Sequence, residues 1–185
     1  MGNACGSDLV RRCVAGAIHQ LASLEEGPRL VCCDAVREVL VAMGNACECD
    51  KARESVARAT WKICSLEEGW RLMARDEVVD MLVAVGNACG SDGVRKTVAG
   101  ALSNLSFNTV GFAPGMRVMA TEEVRAVLVA MGTVCSSDGV RKLVAGAIRN
   151  IANVEVGRRV MATEEVRAVL VAMGLACGRD GAREA

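Results

Sequence analysis

The stretch VMATEEVRAVLVAMG, Val118–Gly132, recurs letter for letter at Val160–Gly174, which marks a chain built by duplication. Working outward, its closing letters return in variant form at Met1-Gly2-Asn3-Ala4-Cys5, Met43-Gly44-Asn45-Ala46-Cys47, Val85-Gly86-Asn87-Ala88-Cys89, Met131-Gly132-Thr133-Val134-Cys135 and Met173-Gly174-Leu175-Ala176-Cys177. These marks fall 42, 42, 46 and 42 residues apart. A period of that length belongs to stacked repeats, in which each unit buries its apolar face on its neighbours. The chain therefore reads as one domain over 1–185, with units 1–42, 43–84, 85–130 and 131–172 and a partial unit 173–185.

Inside the duplicated stretch, Val124, Val127, Leu128 and Met131 stand at i, i+3, i+4 and i+7, the stripe of an amphipathic helix. Val36, Val39, Leu40 and Met43 repeat it, as do Val78, Met81, Leu82 and Val85, and Val166, Val169, Leu170 and Met173. Thr121 and Thr163 supply capping hydroxyls at two of these helix starts, and Asp34 and Asp76 supply carboxylates at the other two. After each Cys mark a polar break ends in Asp8, Asp50, Asp92, Asp138 or Asp180, each expected to cap a following helix. That helix carries Val10, Val14, Ala17, Ile18 and Leu21 in the first unit and Val140, Val144, Ala147, Ile148 and Ile151 in the fourth. A short segment containing Gly27, Gly69, Gly115 or Gly157 precedes the next Met-Gly helix and reads as one or two helical turns.

Composition narrows the function. Lys plus Arg and Asp plus Glu each number 22, so any electrostatic message lies in how charge is arranged. Aromatic residues are 2% of the chain, too few for a base-stacking platform, and nucleic acid is not the expected partner. The longest apolar runs fall far short of the ~20 residues that span a bilayer. Ten cysteines without a signal peptide point to a reducing compartment, cytoplasmic or nuclear. Cys5, Cys47, Cys89, Cys135 and Cys177 share one repeat position, as a small packed side chain would. Cys32-Cys33 and Cys47-Glu48-Cys49 lack the spacing of a closed zinc site, so no metal is expected. His19 is the only histidine, which excludes a multi-histidine centre; no catalytic group and no cofactor are expected. The opening Met1-Gly2-Asn3-Ala4-Cys5 resembles an acylation signal, yet Gly6 stands where Ser or Thr is required, and the internal copies account for the letters.

Three helices per unit, short then longer then longest, resemble the armadillo repeat. The most specific residues are Val98-Ala-Gly-Ala-Leu-Ser-Asn104-Leu-Ser and Val144-Ala-Gly-Ala-Ile-Arg-Asn150-Ile-Ala, which look like that family's third-helix signature. The other units carry Gln20 and Lys62 where the family has Asn, and Gly16, Arg58, Gly100 and Gly146 stand where it often has Trp. The resemblance implies an all-α, right-handed superhelical solenoid of about four repeats with incomplete units at both ends. It further implies that the third helices line a concave groove that holds other proteins.

With Asn104 and Asn150 marking that groove, residues four, seven and eleven before each face the same way at ~100° per residue, with flanks at one and eight before. The candidate partner-binding residues are Arg12, His19, Gln20, Arg58, Trp61, Lys62, Lys96, Asn104, Lys142, Arg149 and Asn150. With the borderline Lys51, seven basic side chains face one acid, Glu54. The acids gather instead in Glu25-Glu26, Glu67-Glu68, Glu122-Glu123 and Glu164-Glu165, at helix starts. An extended or partly helical acidic protein segment is the expected ligand, its backbone bonded by the Asn side chains and its carboxylates or phosphates paired with Lys and Arg.

Arg11, Arg53, Arg95, Arg141 and Arg183 recur about 180° from the groove, so a structural role is expected of them. The third unit is four residues longer, and its extension holds Phe107 and Phe112, candidate anchors in a turn. Trp61 reads either as an anchor beside the groove or as filler for the space left by Thr60. Both ends of the sequence fall inside a unit, so the chain reads as part of a longer array or, alternatively, as a structural module associating head to tail through its open ends.

Overall fold

The computed structural model describes residues 7–109 and 113–180, and among these the fold is all-helical. Twelve helices follow in order: α1 (Asp8–Leu21), α2 (Gly27–Val31), α3 (Asp34–Ala46), α4 (Asp50–Cys64), α5 (Glu67–Met73), α6 (Asp76–Asn87), α7 (Asp92–Asn108), α8 (Ala113–Met119), α9 (Glu122–Val134), α10 (Asp138–Ala152), α11 (Glu155–Met161) and α12 (Glu164–Asp180). Met1–Cys5 with Gly6, Phe112 and Arg183 lie outside the described residues.

The order long, short, long recurs four times in register with the sequence period. Helices α1, α4, α7 and α10 each pack on the next to form one row, and α3, α6, α9 and α12 form a second. The core lies between the rows. Val94, Val98, Leu102 and Leu105 of α7 are buried there, as are Val124, Leu128 and Met131 of α9. Each such side chain contributes roughly 1.5–3 kcal/mol by leaving water. The fourth-unit stripe Val140, Val144, Ala147, Ile148 and Ile151 is buried throughout, as its spacing predicts. In α1 the same stripe is half empty: Ile18 is buried, whereas Val10 and Leu21 are each 40% exposed. Helix α1 packs on α2, α3 and α4, and no other described helix covers its remaining side.

Two recurrent glycines set the spacing. A Cβ on Gly69, at the start of α5, would overlap the Ile63 carbonyl oxygen at the end of α4, so only glycine lets the chain double back there. Gly86 lies inside α6, and a Cβ on it would stand 2.6 Å from Val127 Cγ2 of α9. The glycine of the Met-Gly mark therefore serves close approach between units rather than helix termination.

Three of the four long helices of the first row are capped by a different residue from the one expected, and α4, with Cys49 at its start, has no side-chain cap. Ser7, Ser91 and Ser137 accept from the backbone N–H of Val10, Val94 and Val140. The aspartate one position on reaches into the next unit instead. The Asp8 carboxylate accepts from the N–H groups of Glu48 and Cys49 at 3.2 and 2.6 Å, Asp50 from Gly90 N–H at 2.9 Å, and Asp92 from Ser136 N–H at 3.0 Å and its hydroxyl at 2.5 Å. Its other oxygen pairs with the recurrent arginine three residues later, Arg11 with Asp8, Arg53 with Asp50 and Arg95 with Asp92. Arg141 pairs with Asp138 in the same way. The arginine ladder thus holds the carboxylates that tie unit to unit, a structural role but within its own unit. Asp180 does not begin a helix: α12 runs unbroken from Glu164 through it, because Leu175-Ala176-Cys177 is compatible with helix and no turn interrupts it. Thr121 and Thr163 do cap α9 and α12; Asp34 and Asp76 are first-turn acids behind the caps Cys33 and Arg75. The repeated cysteines differ in depth: Cys47 is buried, whereas Cys89 and Cys135 are half-buried and donate to the Gly86 and Gly132 carbonyls.

Candidate binding cleft

The helical spacing that places residues 54, 58, 61 and 62 on one face of α4 also places residues 93, 96, 97 and 104 on one face of α7. Packed side by side with α1, these faces enclose a cleft of about 630 Å³ lined by His19, Glu54, Arg58, Trp61, Lys62, Ser65, Gly93, Lys96, Thr97 and Asn104. Six residues singled out in the sequence meet here: His19 from α1, Arg58, Trp61 and Lys62 from α4, and Lys96 and Asn104 from α7.

Trp61 is half-buried, and its indole lies against the backbone of Gly100, where any Cβ would overlap the ring. The absence of a side chain at 100 is what seats the aromatic ring in the cleft wall. Thr60, the residue before Trp61, is buried and donates to the Val56 carbonyl at 3.0 Å. The acid Glu54 forms an ion pair with Arg58 across one helical turn. Lys62 and Lys96 have no ion-pair partner among the described residues. Burial first, then the nearby Arg58 and Lys62 cations, lower the pKa of His19 and so favour its neutral imidazole.

The Asn104 side chain makes no hydrogen bond to a described residue and borders the cleft, whereas Asn150 is 8% exposed and donates its amide N–H to the Ser103 carbonyl of α7 at 3.2 Å. The two asparagines share a repeat position and do different work.

No known family model and no curated protein matches this chain.

The remaining expected residues lie apart from the cleft. Arg149 and Asn150 border a second cavity of about 460 Å³ with Phe107 and Asn153. Lys142 borders a third of about 430 Å³ between α10 and α12, with Leu170, Met173 and Gly174. Arg12, Gln20 and Lys51 are exposed on α1 and α4 and border none of these cavities. Three cleft residues were not singled out in the sequence. Gly93 and Thr97 stand eleven and seven before Asn104, on the face already identified, but carry no charge or ring to attract notice. Ser65 lies past the window, at the C-cap of α4, and donates to the Lys62 carbonyl.

Proposed function

We propose that this chain is a non-enzymatic protein-binding scaffold, an armadillo-type right-handed solenoid whose first row of long helices holds an extended or partly helical acidic segment. The observation that carries this reading is the convergence of Arg58, Lys62 and Lys96 around Trp61 in one cleft, with Glu54 as the only acid among its described lining residues. Two unpaired ammonium groups beside a half-exposed indole suit a ligand that brings carboxylates and some apolar surface together. Asn104 is free to bond a ligand backbone, whereas Asn150 already spends one amide N–H on the Ser103 carbonyl. The chain's neutral charge overall leaves this cleft as a local positive feature rather than part of a broadly basic surface.

The test is a titration of a fluorescein-labelled peptide of alternating Glu and Ser with a central Leu. Lys62→Glu with Lys96→Glu is expected to abolish binding, and Lys142→Glu, outside the cleft, to leave it intact. Equal affinity for both variants would overturn the reading. A single-stranded oligonucleotide bound more tightly than the peptide, with a steep salt dependence, would transfer the cleft to nucleic acid.

A second reading is association between copies through the packing that joins unit to unit, in which Gly44, Gly86 and Gly132 each receive a side chain of the next unit, Met81, Val127 or Val169, within 2.5–2.7 Å of a would-be Cβ. Light scattering across concentration tests it: a constant mass excludes end-to-end stacking.

A further inference from the structure

We infer that the Arg58 end of the cleft is a carboxylate subsite, and that Glu54 is its internal occupant. The inference rests on the acidic-segment reading and adds where a ligand carboxylate goes and what it displaces. Glu54 lines the same cleft as Lys62 and Lys96 but turns its carboxylate onto Arg58, one turn along α4. There it also covers α7: a Cβ on Gly93 would stand 2.7 Å from Glu54 Oε2, so the bare backbone at 93 is what admits the carboxylate. The pair is not sealed in, since the side chains of Arg58 and Glu54 are 53% and 30% exposed. An exposed pair of this kind is held weakly and exchanges with a carboxylate from outside. A Glu or Asp side chain of the bound segment takes the guanidinium, with Lys62 and Lys96 neutralising its neighbours, and Glu54 turns to solvent. Glu54 thus sets a threshold: segments with isolated acids do not displace it, and segments with clustered acids do.

The test uses the full chain and the same Glu/Ser/Leu peptide. Glu54→Gln keeps the side chain's size and removes its charge, and is expected to tighten binding by about threefold at low salt. Glu54→Ala repeats the measurement without the amide and is expected to agree. In an Arg58→Gln background the gain should vanish, because the displaced contact no longer exists; a gain of the same size there would mean only a changed field and overturns the subsite. Binding by the wild type that is lost in the Lys62→Glu, Lys96→Glu variant yet unchanged or weakened by Glu54→Gln overturns the role of Glu54 alone. No binding by either wild type or Glu54→Gln overturns the subsite and the acidic-segment reading together.

Discussion

The Asp8 carboxylate lies 2.6 Å from the backbone nitrogen of Cys49, 41 positions further along the chain, and binds the start of one unit to the break before the next long helix. Asp50 and Asp92 tie to the next unit likewise, through the N–H groups of Gly90 and Ser136 at 2.9 and 3.0 Å, which stand at the position of Glu48. Hydrogen bonds to a charged group contribute about 1.5–3 kcal/mol each when both partners are shielded. Asp92→Asn is therefore expected to lower the urea midpoint by an amount equivalent to about 1–2 kcal/mol, because it weakens the Ser136 contacts and leaves Arg95 without a charged partner. Asp34→Asn is the control. Asp34 pairs with Arg37 in the same i,i+3 arrangement, but its side chain is 71% exposed, so the midpoint should hardly move. Equal losses in the two variants would mean that the tie between units adds nothing to the local pair.

The same contacts give acid sensitivity a definite sign. Burial alone would raise the Asp8 carboxyl, but hydrogen bonds from the Cys49 thiol and Arg11, then from the Cys49 and Glu48 N–H groups, hold its pKa down to about 2. Asp92 is lowered chiefly by the Ser136 hydroxyl, against burial, and then by Arg95. A carboxylate held below its unfolded value of about 3.9 contributes stability that is complete above that value and is lost as pH falls through the folded one. Thermal midpoints should thus decline from about pH 5 towards pH 2. The Asp8→Asn, Asp92→Asn double variant should start lower and fall less over that range; a parallel decline would place the acid sensitivity elsewhere.

What could be read from the sequence was whatever depends on spacing along one helix. The face of α4 through Arg58, Trp61 and Lys62 and the face of α7 through Lys96 and Asn104 follow from 3.6 residues per turn, and these residues border one cleft. Contacts between units leave no such local trace. Asp8 reads as a helix cap because aspartate caps well, yet Ser7 takes that position and frees the carboxylate for Cys49. Asn150 reads as a twin of Asn104, and only the approach of α7 brings Ser103 within its reach. Val10 and Leu21 stand at the stripe positions that Val140 and Ile151 fill in α10, but burial needs a neighbour as well as a pattern.

Glycine substitutions separate crowded positions from open ones. Gly16 lies in α1 with nothing within 4 Å of a would-be Cβ, so Gly16→Ala should raise stability by up to about 1 kcal/mol through helix propensity. Gly69→Ala places a methyl group on the Ile63 carbonyl oxygen, where backbone must shift, and should cost more than about 2 kcal/mol. Urea unfolding of the two variants beside the wild type checks both signs. A neutral Gly69→Ala would mean that α5 leaves α4 by a wider turn than described.

Gly100→Ala tests the seat of the aromatic ring. The new methyl group would overlap the Trp61 indole, and the ring must then leave the cleft wall and enter the space that a ligand would use. Trp70 is the other tryptophan, so Trp70→Phe makes the fluorescence report on Trp61 alone. In that background Gly100→Ala is expected to shift the emission to longer wavelength as the indole moves towards water. Affinity for the acidic peptide should fall by roughly tenfold, the scale of losing one aromatic anchor. Gly146→Ala is the matched control, because its Cβ would meet only the Ser103 hydroxyl, at 3.2 Å, and a hydroxyl turns aside more readily than a ring. A red shift without loss of affinity would leave Trp61 as packing and remove it from the binding surface; a loss of affinity without a shift would assign the effect to the backbone of α7.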